Sequence, residues 1–213
     1  MKRILLLTAA LMAVVATMSV GTWAYFNDTE TVVDNTITAG TLTLTVDDGT
    51  PVAINVPDTY PGDKAAVADW LLANGGSIDG WLKIQTTAIT SSDLSGYLTM
   101  LLWIDKDNDG ALDNGTTSQD VYLANTGAIT NWSGADNAAP DSAGALAVYV
   151  LADDLSSETW GTSGSPVLTI AGGAGTAHFR ANYNFPDNSA DQNAAQGDIV
   201  DFDLTFTLTQ STP

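Results

Sequence analysis

The chain has 213 residues, with 25 Asp or Glu against 6 Lys or Arg, so its formal net charge is -19 at pH 7. So acidic a surface repels phosphate backbones, which argues against nucleic acid as a partner. It is compatible with solubility, cation binding or a salty environment, and the sequence does not separate these. The absence of cysteine excludes thiolate zinc sites and thiol catalysis.

The N-terminal residues have the layout of a secretory signal peptide. Lys2 and Arg3 precede an uncharged, largely apolar stretch over 4–20, and small residues surround Trp23. We predict cleavage between Ala24 and Tyr25, which would give a secreted or cell-surface protein without a stable membrane anchor. The resulting division is a signal peptide (1–24), an N-terminal segment (25–38) and one domain (39–213).

A pilin-type leader is the alternative for the same residues. It would be cut near Arg3, and 4–20 would remain as a helix in the core of a filament. A membrane anchor needs a comparable length, about 20 residues. Gly-Thr-Trp-Ala at 21–24 is more typical of a processing site, which favours cleavage after Ala24.

Beyond the leader, apolar residues recur with a period of two, which is typical of strands buried on one face. Leu and Val alternate with Thr over 41–46, and Val, Phe and Leu alternate with Asp and Thr over 200–209. Turn-forming Gly and Pro pairs separate these runs. The pattern predicts an all-β fold, a jelly-roll-like antiparallel β-sandwich that follows a cleaved signal helix. Further strands are predicted at 52–56, 65–72, 80–86, 97–104, 145–151 and 177–183.

The segments between the strands give weaker signals. Loops are predicted at 126–144, where a short helix is an option, and at 187–197. Trp70, Trp81 and Trp103 lie in apolar strand runs, so packing in the core is favoured over a sugar-binding platform.

An Asp-rich loop after the strand at 97–104 carries the clearest metal-binding pattern. Oxygen ligands recur at positions 1, 3, 5 and 9, a backbone carbonyl is available at position 7, and Gly110 allows a tight turn at position 6. Calcium is the cation that such a carboxylate loop favours. The predicted ligands are Asp105, Asp107, Asp109, Ala111 and Asp113.

The loop departs from an EF-hand at position 12, where Thr116 replaces the usual Glu, and its flanks are strand-like. A missing ligand could come from Asp120, Asp93 or water. The alternative is an ordinary acidic turn, because Asp-Gly is a common hairpin signal.

Three Asn-x-Ser/Thr sequons occur, at Asn27, Asn114 and Asn131. Asn114 and Asn131 are candidate glycosylation sites. Asn27 falls in the N-terminal segment, where burial in an assembly would argue against a glycan.

The segment Gly-Thr-Trp-Ala-Tyr-Phe-Asn-Asp at 21–28, followed by Ala-Gly-Thr-Leu-Thr-Leu at 39–44, resembles the TasA/camelysin family. Tyr-Pro-Gly-Asp at 60–63 and Ala-Ala-Gln-Gly-Asp at 194–198 also fit. The resemblance implies a SipW-type signal peptide, a dedicated signal peptidase and an extracellular, biofilm-matrix type of fibre. It also implies that the chain's main partner is itself, in a head-to-tail homopolymer.

The same resemblance implies polymerisation by donor-strand complementation. An edge strand offers unpaired backbone groups, and a strand added from the next subunit makes a contact that propagates. The segment 25–38 precedes the first clearly predicted strand, and its residues favour an extended conformation. Its candidate donor residues are Tyr25, Phe26, Val32, Val33 and Ile37.

Camelysin-type members carry a metallopeptidase label, and this chain offers little for such chemistry. It has a single histidine, His178, and neither His-Glu-x-x-His nor Gly-x-Ser-x-Gly. We therefore predict a structural protein and not an enzyme. A monomeric calcium-binding adhesion or surface module and, less favoured, a metallopeptidase are the alternatives.

Overall fold

The computed structural model describes residues 40–46, 52–56, 59–90, 93–115, 118–162, 165–189, 191–195 and 197–210. Within them it places twelve strands in two antiparallel sheets. The prediction of an all-β sandwich is therefore confirmed. The predicted signal helix lies outside the described residues.

The strands vary in length from 2 to 11 residues. The twelve are β1 (Leu44–Val46), β2 (Val52–Val56), β3 (Lys64–Asn74), β4 (Gly80–Thr86), β5 (Thr99–Asp105), β6 (Val121–Leu123), β7 (Ile129–Asn131), β8 (Val150–Leu151), β9 (Thr159–Trp160), β10 (Leu168–Ile170), β11 (Gly175–Asn184) and β12 (Val200–Gln210).

The larger sheet has seven strands within the described residues, in the order β1-β3-β11-β5-β6-β7 with β8 beside β5. The smaller sheet has five, in the order β10-β4-β12-β2 with β9 beside β4. Period-two sequences form the longest strands. In β12, Val200, Phe202, Leu204 and Phe206 are buried, and Leu208 is partly buried at the end of the same face.

The main core fills the space between the sheets. Aromatic rings from three strands meet at its centre: Trp70 stacks on Phe179 with ring centroids 5.5 Å apart, and Phe206 meets Phe179 edge-on at 5.2 Å. These rings combine a large buried apolar area with favourable ring geometry. Their three strands, β3, β11 and β12, thereby hold the two sheets together.

A second, smaller core lies on the other side of β5. Leu101 and Trp103 point away from the main core and pack with Leu112 and Trp132. The segment from 106 to 149 supplies most of this outer cluster and covers β5 from outside. β5 is therefore buried on both faces, which explains its uninterrupted apolar sequence.

The prediction of one strand over 145–151 is wrong. Residues Ala143–Leu146 form a short helix, α1, whose N-cap Ser142 accepts a hydrogen bond from the backbone of Ala145, and only Val150–Leu151 is extended. A helix within the loop at 126–144 was an option, and α1 begins at the end of that stretch. Four 3-10 helices complete the described secondary structure, at Leu94–Gly96, Asn125–Gly127, Ala152–Leu155 and Asn193–Ala195.

The three tryptophans that were predicted to pack in the core differ in burial. Trp70 and Trp103 are 6% and 0% exposed and belong to the main core and the outer cluster. Trp81, in contrast, belongs to the partly exposed series of β4, which alternates with buried residues. Packing of Trp81 in the core is therefore not what the structure shows.

Candidate functional site

The Asp-rich loop begins where β5 ends. Asp105, the last residue of β5, is 0% exposed, whereas Asp107 and Asp109 are exposed. Carboxylate oxygens of these three residues all lie within 4.8 Å of one another. Among the described residues, they form the one group of His, Cys, Asp or Glu side chains close enough to hold a metal ion.

Hydrogen bonds from the loop backbone fix this geometry. The Asp105 carboxylate accepts bonds from the backbone N–H of Asn108 at 2.6 Å and of Gly110 at 2.9 Å. Asp109 accepts one from Ala111 at 2.8 Å. Asn108 and Gly110 have φ of 61° and 84°, so the chain reverses through two left-handed residues. Glycine suits the second position because it has no Cβ to oppose a positive φ.

Arg180 of β11 lies against the loop, a role that sequence reasoning missed. Its Nε donates to Asp105 at 2.8 Å and its Nη2 donates to Asn108 Oδ1 at 2.9 Å. Nη1 is 2.9 Å from Asp69 of β3, and the guanidinium carbon lies 5.9 Å from the centre of the Trp103 ring. One cation therefore supports the buried end of an acidic loop.

Asp113 and Asp120 close the loop at its base. Asp120, which is 0% exposed, accepts backbone hydrogen bonds from Lys106 at 2.9 Å and from Asp113 at 3.0 Å. Asp113 is 7% exposed and accepts one from Asn137 at 2.7 Å. Asp120 thus bonds to both ends of the loop, and Asn137 bonds to the end at Asp113.

The surroundings of Asp113 and Asp120 make the charged form of each carboxylate unfavourable. Burial, reinforced by the charges of Asp105 and Asp107, raises the pKa of Asp120 to about 7 despite its two backbone hydrogen bonds. The bond from Asn137 lowers the pKa of Asp113, but burial and the charges of nearby aspartates outweigh it, so the net shift is upward. A cation bound at this loop would relieve that repulsion.

The candidates for a missing ligand differ in position. Asp120 lies beneath the loop. Asp93 precedes the start of β5, whereas the loop follows its end, and the backbone of Asp93 binds the Asp198 carboxylate at 2.9 Å. Thr116 lies outside the described residues. Of the two aspartates, Asp120 is the one near the loop, and each of its oxygens already accepts a backbone hydrogen bond.

The asparagines of the two sequons in the domain are both exposed. Asn114 is exposed, but its Nδ2 donates to the carbonyl of Gly134. Asn131 is the exposed last residue of β7. Asn27 lies outside the described residues.

The single histidine lies on the outer face of the larger sheet. His178 Nδ1 is 3.1 Å from Asp69 Oδ1, and Asp69 also pairs with Arg180. His178 belongs to no cluster of metal-ligating side chains within the described residues. The arrangement is that of a side-chain ion-pair network along β3 and β11.

Within the described residues, one edge of the larger sheet has a partner strand over only part of its length. β1 pairs with β3 only from Leu72 to Asn74, whereas β11 pairs with β3 from Lys64 to Asn74. Along Lys64–Trp70 no described strand pairs with the other edge of β3. β2, the end strand of the smaller sheet, lies near β3.

The described chain enters the domain at the opposite end of β3. Thr43 accepts a backbone bond from Gly75 at 2.8 Å, and Thr41 accepts one from Ser77 at 2.8 Å, just after β3 ends. The predicted cleavage site at Ala24 and Tyr25 and the donor residues Tyr25, Phe26, Val32, Val33 and Ile37 lie outside the described residues. In the described part of the chain, no helix has the length and apolar character needed to cross a membrane.

Comparison with known proteins bears on the family and not on the site. No curated protein matches the sequence. A solved structure of the infectious bursal disease virus Gx strain aligns over 83% of this chain and 34% of its own, with 6% identity and a TM-score of 0.29. The VP2 subviral particle of that virus aligns over 85% of this chain and 44% of its own, with 9% identity and a TM-score of 0.22. The chain spans less than half the length of either viral chain, and at such scores neither likeness informs its function.

The family comparison covers nearly all of the sequence. Residues 2–213 match the family described as camelysin metallo-endopeptidase. The match extends well beyond the N-terminal motifs that carry the sequence resemblance. The chain therefore belongs to the camelysin/TasA family.

Proposed function

We propose that the chain is the secreted structural subunit of an extracellular filament, and that its subunits join by donor-strand complementation. The observation that carries this proposal is the open edge of β3 along Lys64–Trp70, meaning the edge with which none of the described strands pairs. Exposed backbone groups at a sheet edge are a template for a strand from another chain. Ala68 and Trp70 face the main core along this edge, so an added strand would meet an apolar surface as well as backbone.

The two ends of β3 define a direction for assembly. The chain enters the domain beside the end of β3 at Asn74, and the open edge starts at the other end, at Lys64. In a head-to-tail stack, a neighbour's segment would reach the open edge from the Lys64 end, with its residue 38 nearest that end. It would run antiparallel to β3, in the direction that β1 takes. Such a heterologous contact does not close and therefore propagates.

Side-chain alternation assigns faces to the donor segment. Residues four apart in a strand lie on the same face, so Val33 and Ile37 share one face and Thr36 lies on the other. We assign Val33 and Ile37 to the core side, the same face of the sheet as Ala68 and Trp70. Seven paired residues span roughly 23 Å, and the predicted segment 25–38 is long enough to supply them.

Calcium at the Asp105–Asp113 loop would brace each subunit. The support is the grouping of the Asp105, Asp107 and Asp109 carboxylates within 4.8 Å and the unfavourable charge around Asp113 and Asp120. Hard divalent cations bind oxygen ligands of this kind. Because the loop is fixed to β5, β11 and the outer cluster, the ion would link three parts of the domain.

Peptidase activity is the second candidate, because the family description names a metallo-endopeptidase. Catalytic zinc usually has three protein ligands, often including two or three histidines. His178 is the chain's single histidine, and it pairs with Asp69 on the sheet surface. We therefore propose a structural role, and casein cleavage abolished by chelator would contradict it.

The decisive experiment compares two substitutions in the mature chain that starts at Tyr25. Ile37→Asp would place a charge against the core of the neighbouring subunit, and we expect it to abolish filament growth in light scattering and electron microscopy. Thr36→Asp, on the opposite face, is the matched control and is expected to assemble. Equal assembly by both variants would contradict the donor-strand scheme. A monomeric unaltered chain at all concentrations would favour the adhesion module instead.

Mass spectrometry of the protein from its cell surface tests the step before assembly. A mature N-terminus at Tyr25 would release the donor segment. A start near Ile4 or Met1 would retain the apolar stretch at 4–20 and favour the pilin-type alternative.

A further inference from the structure

Trp81 differs from the other tryptophans in the described part of the chain. Trp70, Trp103, Trp132 and Trp160 are between 0% and 6% exposed. Trp81 lies on the outer face of the smaller sheet and is partly exposed. It is therefore the one described tryptophan that is not buried.

Trp81 lines a cleft of about 480 Å³. Lys83 of β4, Thr209 of β12, and Thr162 and Pro166 from the chain after β9 line it too. The volume falls within the range of about 300–1,000 Å³ that is typical of ligand pockets. Leu82, Thr159, Gly161 and Gln210 complete the lining.

Backbone contacts hold the segment after β9 close to the sheet. Gly161 has a φ of 83°, and a Cβ on it would lie 2.7 Å from the carbonyl oxygen of Leu82. That same carbonyl accepts a hydrogen bond from Val167 at 2.9 Å. Thr162 and Ser165 exchange backbone bonds of 3.0 and 2.9 Å. The cleft is thus formed before a ligand arrives, which reduces the entropy lost on binding.

The charge of the cleft contrasts with the charge of the chain. The sequence has 25 acidic residues, yet none of those that the structure describes lines this cleft. Its one charged residue is Lys83, which takes part in no ion pair among the described residues. A metal ion would find no carboxylate here. A long anionic polymer would be repelled by the rest of the surface, since the net charge is -19.

We propose that this cleft binds an uncharged oligosaccharide. A sugar ring has an apolar C–H face that can lie on the Trp81 indole. Its hydroxyls can bond to the threonine hydroxyls, to Gln210 and to the Lys83 ammonium. An aromatic surface with a few fixed polar groups is the usual composition of a small-molecule site. The inference does not depend on filament formation, because the cleft lies within one subunit.

The test is titration of the mature chain with cellohexaose, chitohexaose and maltohexaose, followed by calorimetry and tryptophan fluorescence. We expect at least one of these hexasaccharides to bind saturably. Trp81→Ala is expected to weaken that binding at least about tenfold, and Trp81→Phe less, because stacking on an aromatic ring is retained. Tyr60→Ala removes an aromatic side chain that is 67% exposed outside the cleft, and is expected to leave binding unchanged.

Three results would each overturn the proposal. These are no saturable binding of any of the three hexasaccharides, unchanged binding by a Trp81→Ala variant, and binding confined to an oligogalacturonate tested alongside. Far-ultraviolet circular dichroism and the melting temperature show whether the Trp81 variants fold, and Trp81→Phe provides the informative comparison if Trp81→Ala does not.

Discussion

The two faces of β11 differ in how they stabilise the larger sheet. On the inner face, Phe179 packs between Trp70 and Phe206 in an apolar core. On the outer face, Arg180 joins Asp69, Asp105 and Asn108. The inner face is stabilised by apolar area that is removed from water. The outer face is stabilised by the pairing of opposite charges. The packing around Phe179 should thus be indifferent to ions and pH, and the network around Arg180 sensitive to bound cations.

The largest effect is expected on the inner face. Phe179→Ala removes a fully buried ring and should lower the free energy of unfolding by about 3–5 kcal/mol, because a cavity remains. Urea unfolding followed by tryptophan fluorescence measures this value, and calcium should not change the loss. A loss below about 1 kcal/mol would show that Phe179 is not central to the core.

On the outer face, Arg180→Met leaves the buried Asp105 carboxylate without its cation. We expect a loss of about 3 kcal/mol in chelator, because an unpaired buried charge is costly. Millimolar calcium should recover part of the loss, which would not occur for Phe179→Ala. Lys64→Met is the matched control: it breaks an ion pair with Asp141 whose side chains are 39% and 61% exposed, so less than about 1 kcal/mol is expected.

The loop itself can be tested through calcium. If calcium binds there, it should raise the melting temperature of the mature chain. At a calcium concentration a hundredfold above Kd, the free energy of unfolding should rise by about 2.7 kcal/mol. Asp107→Asn should reduce this rise strongly. Asp153→Asn changes an exposed aspartate in a 3-10 helix and should leave it unchanged. An identical rise in both variants would place the ion elsewhere.

The smallest effect is expected at the end of the inner face, where Tyr183 donates to Asp63 at 2.7 Å. This bond is the main cause of the lowered pKa of Asp63. A lowered pKa stabilises the fold above the ordinary value of 3.8, and that contribution is lost as the pH falls through the lower folded value. Tyr183→Phe should therefore cost about 1 kcal/mol at pH 7 and progressively less below pH 3.8. Urea unfolding at a series of pH values checks this, with Tyr60→Phe as control.

The period-two pattern of apolar residues predicted the longer core-facing strands well and the short elements poorly. β4 at 80–86 and β2 at 52–56 were predicted with their observed bounds, because their alternation spans the whole strand. β6, β7, β9 and β10 have only 2 or 3 residues, too few to show a period. At 145–151, small residues behind a serine cap formed α1 instead of a strand.

The candidate loop was found from its spacing, but its surroundings were not. Asp105 and Arg180 lie 75 residues apart in sequence, and only the pairing of β5 with β11 brings them together. Asp120 was one of three suggestions for a missing ligand, and nothing in the sequence indicated that it would be fully buried. Long-range ion pairs depend on strand order, which local patterns do not determine.

The segment that forms the outer cluster leaves β5 at Asp105 and returns through β8 to pair with Thr99 and Met100, at the start of the same strand. It is therefore an excursion that begins and ends on a single strand. Its length can change without altering the strand order of the sandwich. Such a change would alter the outer surface beside β5 and leave the edge of β3 as it is.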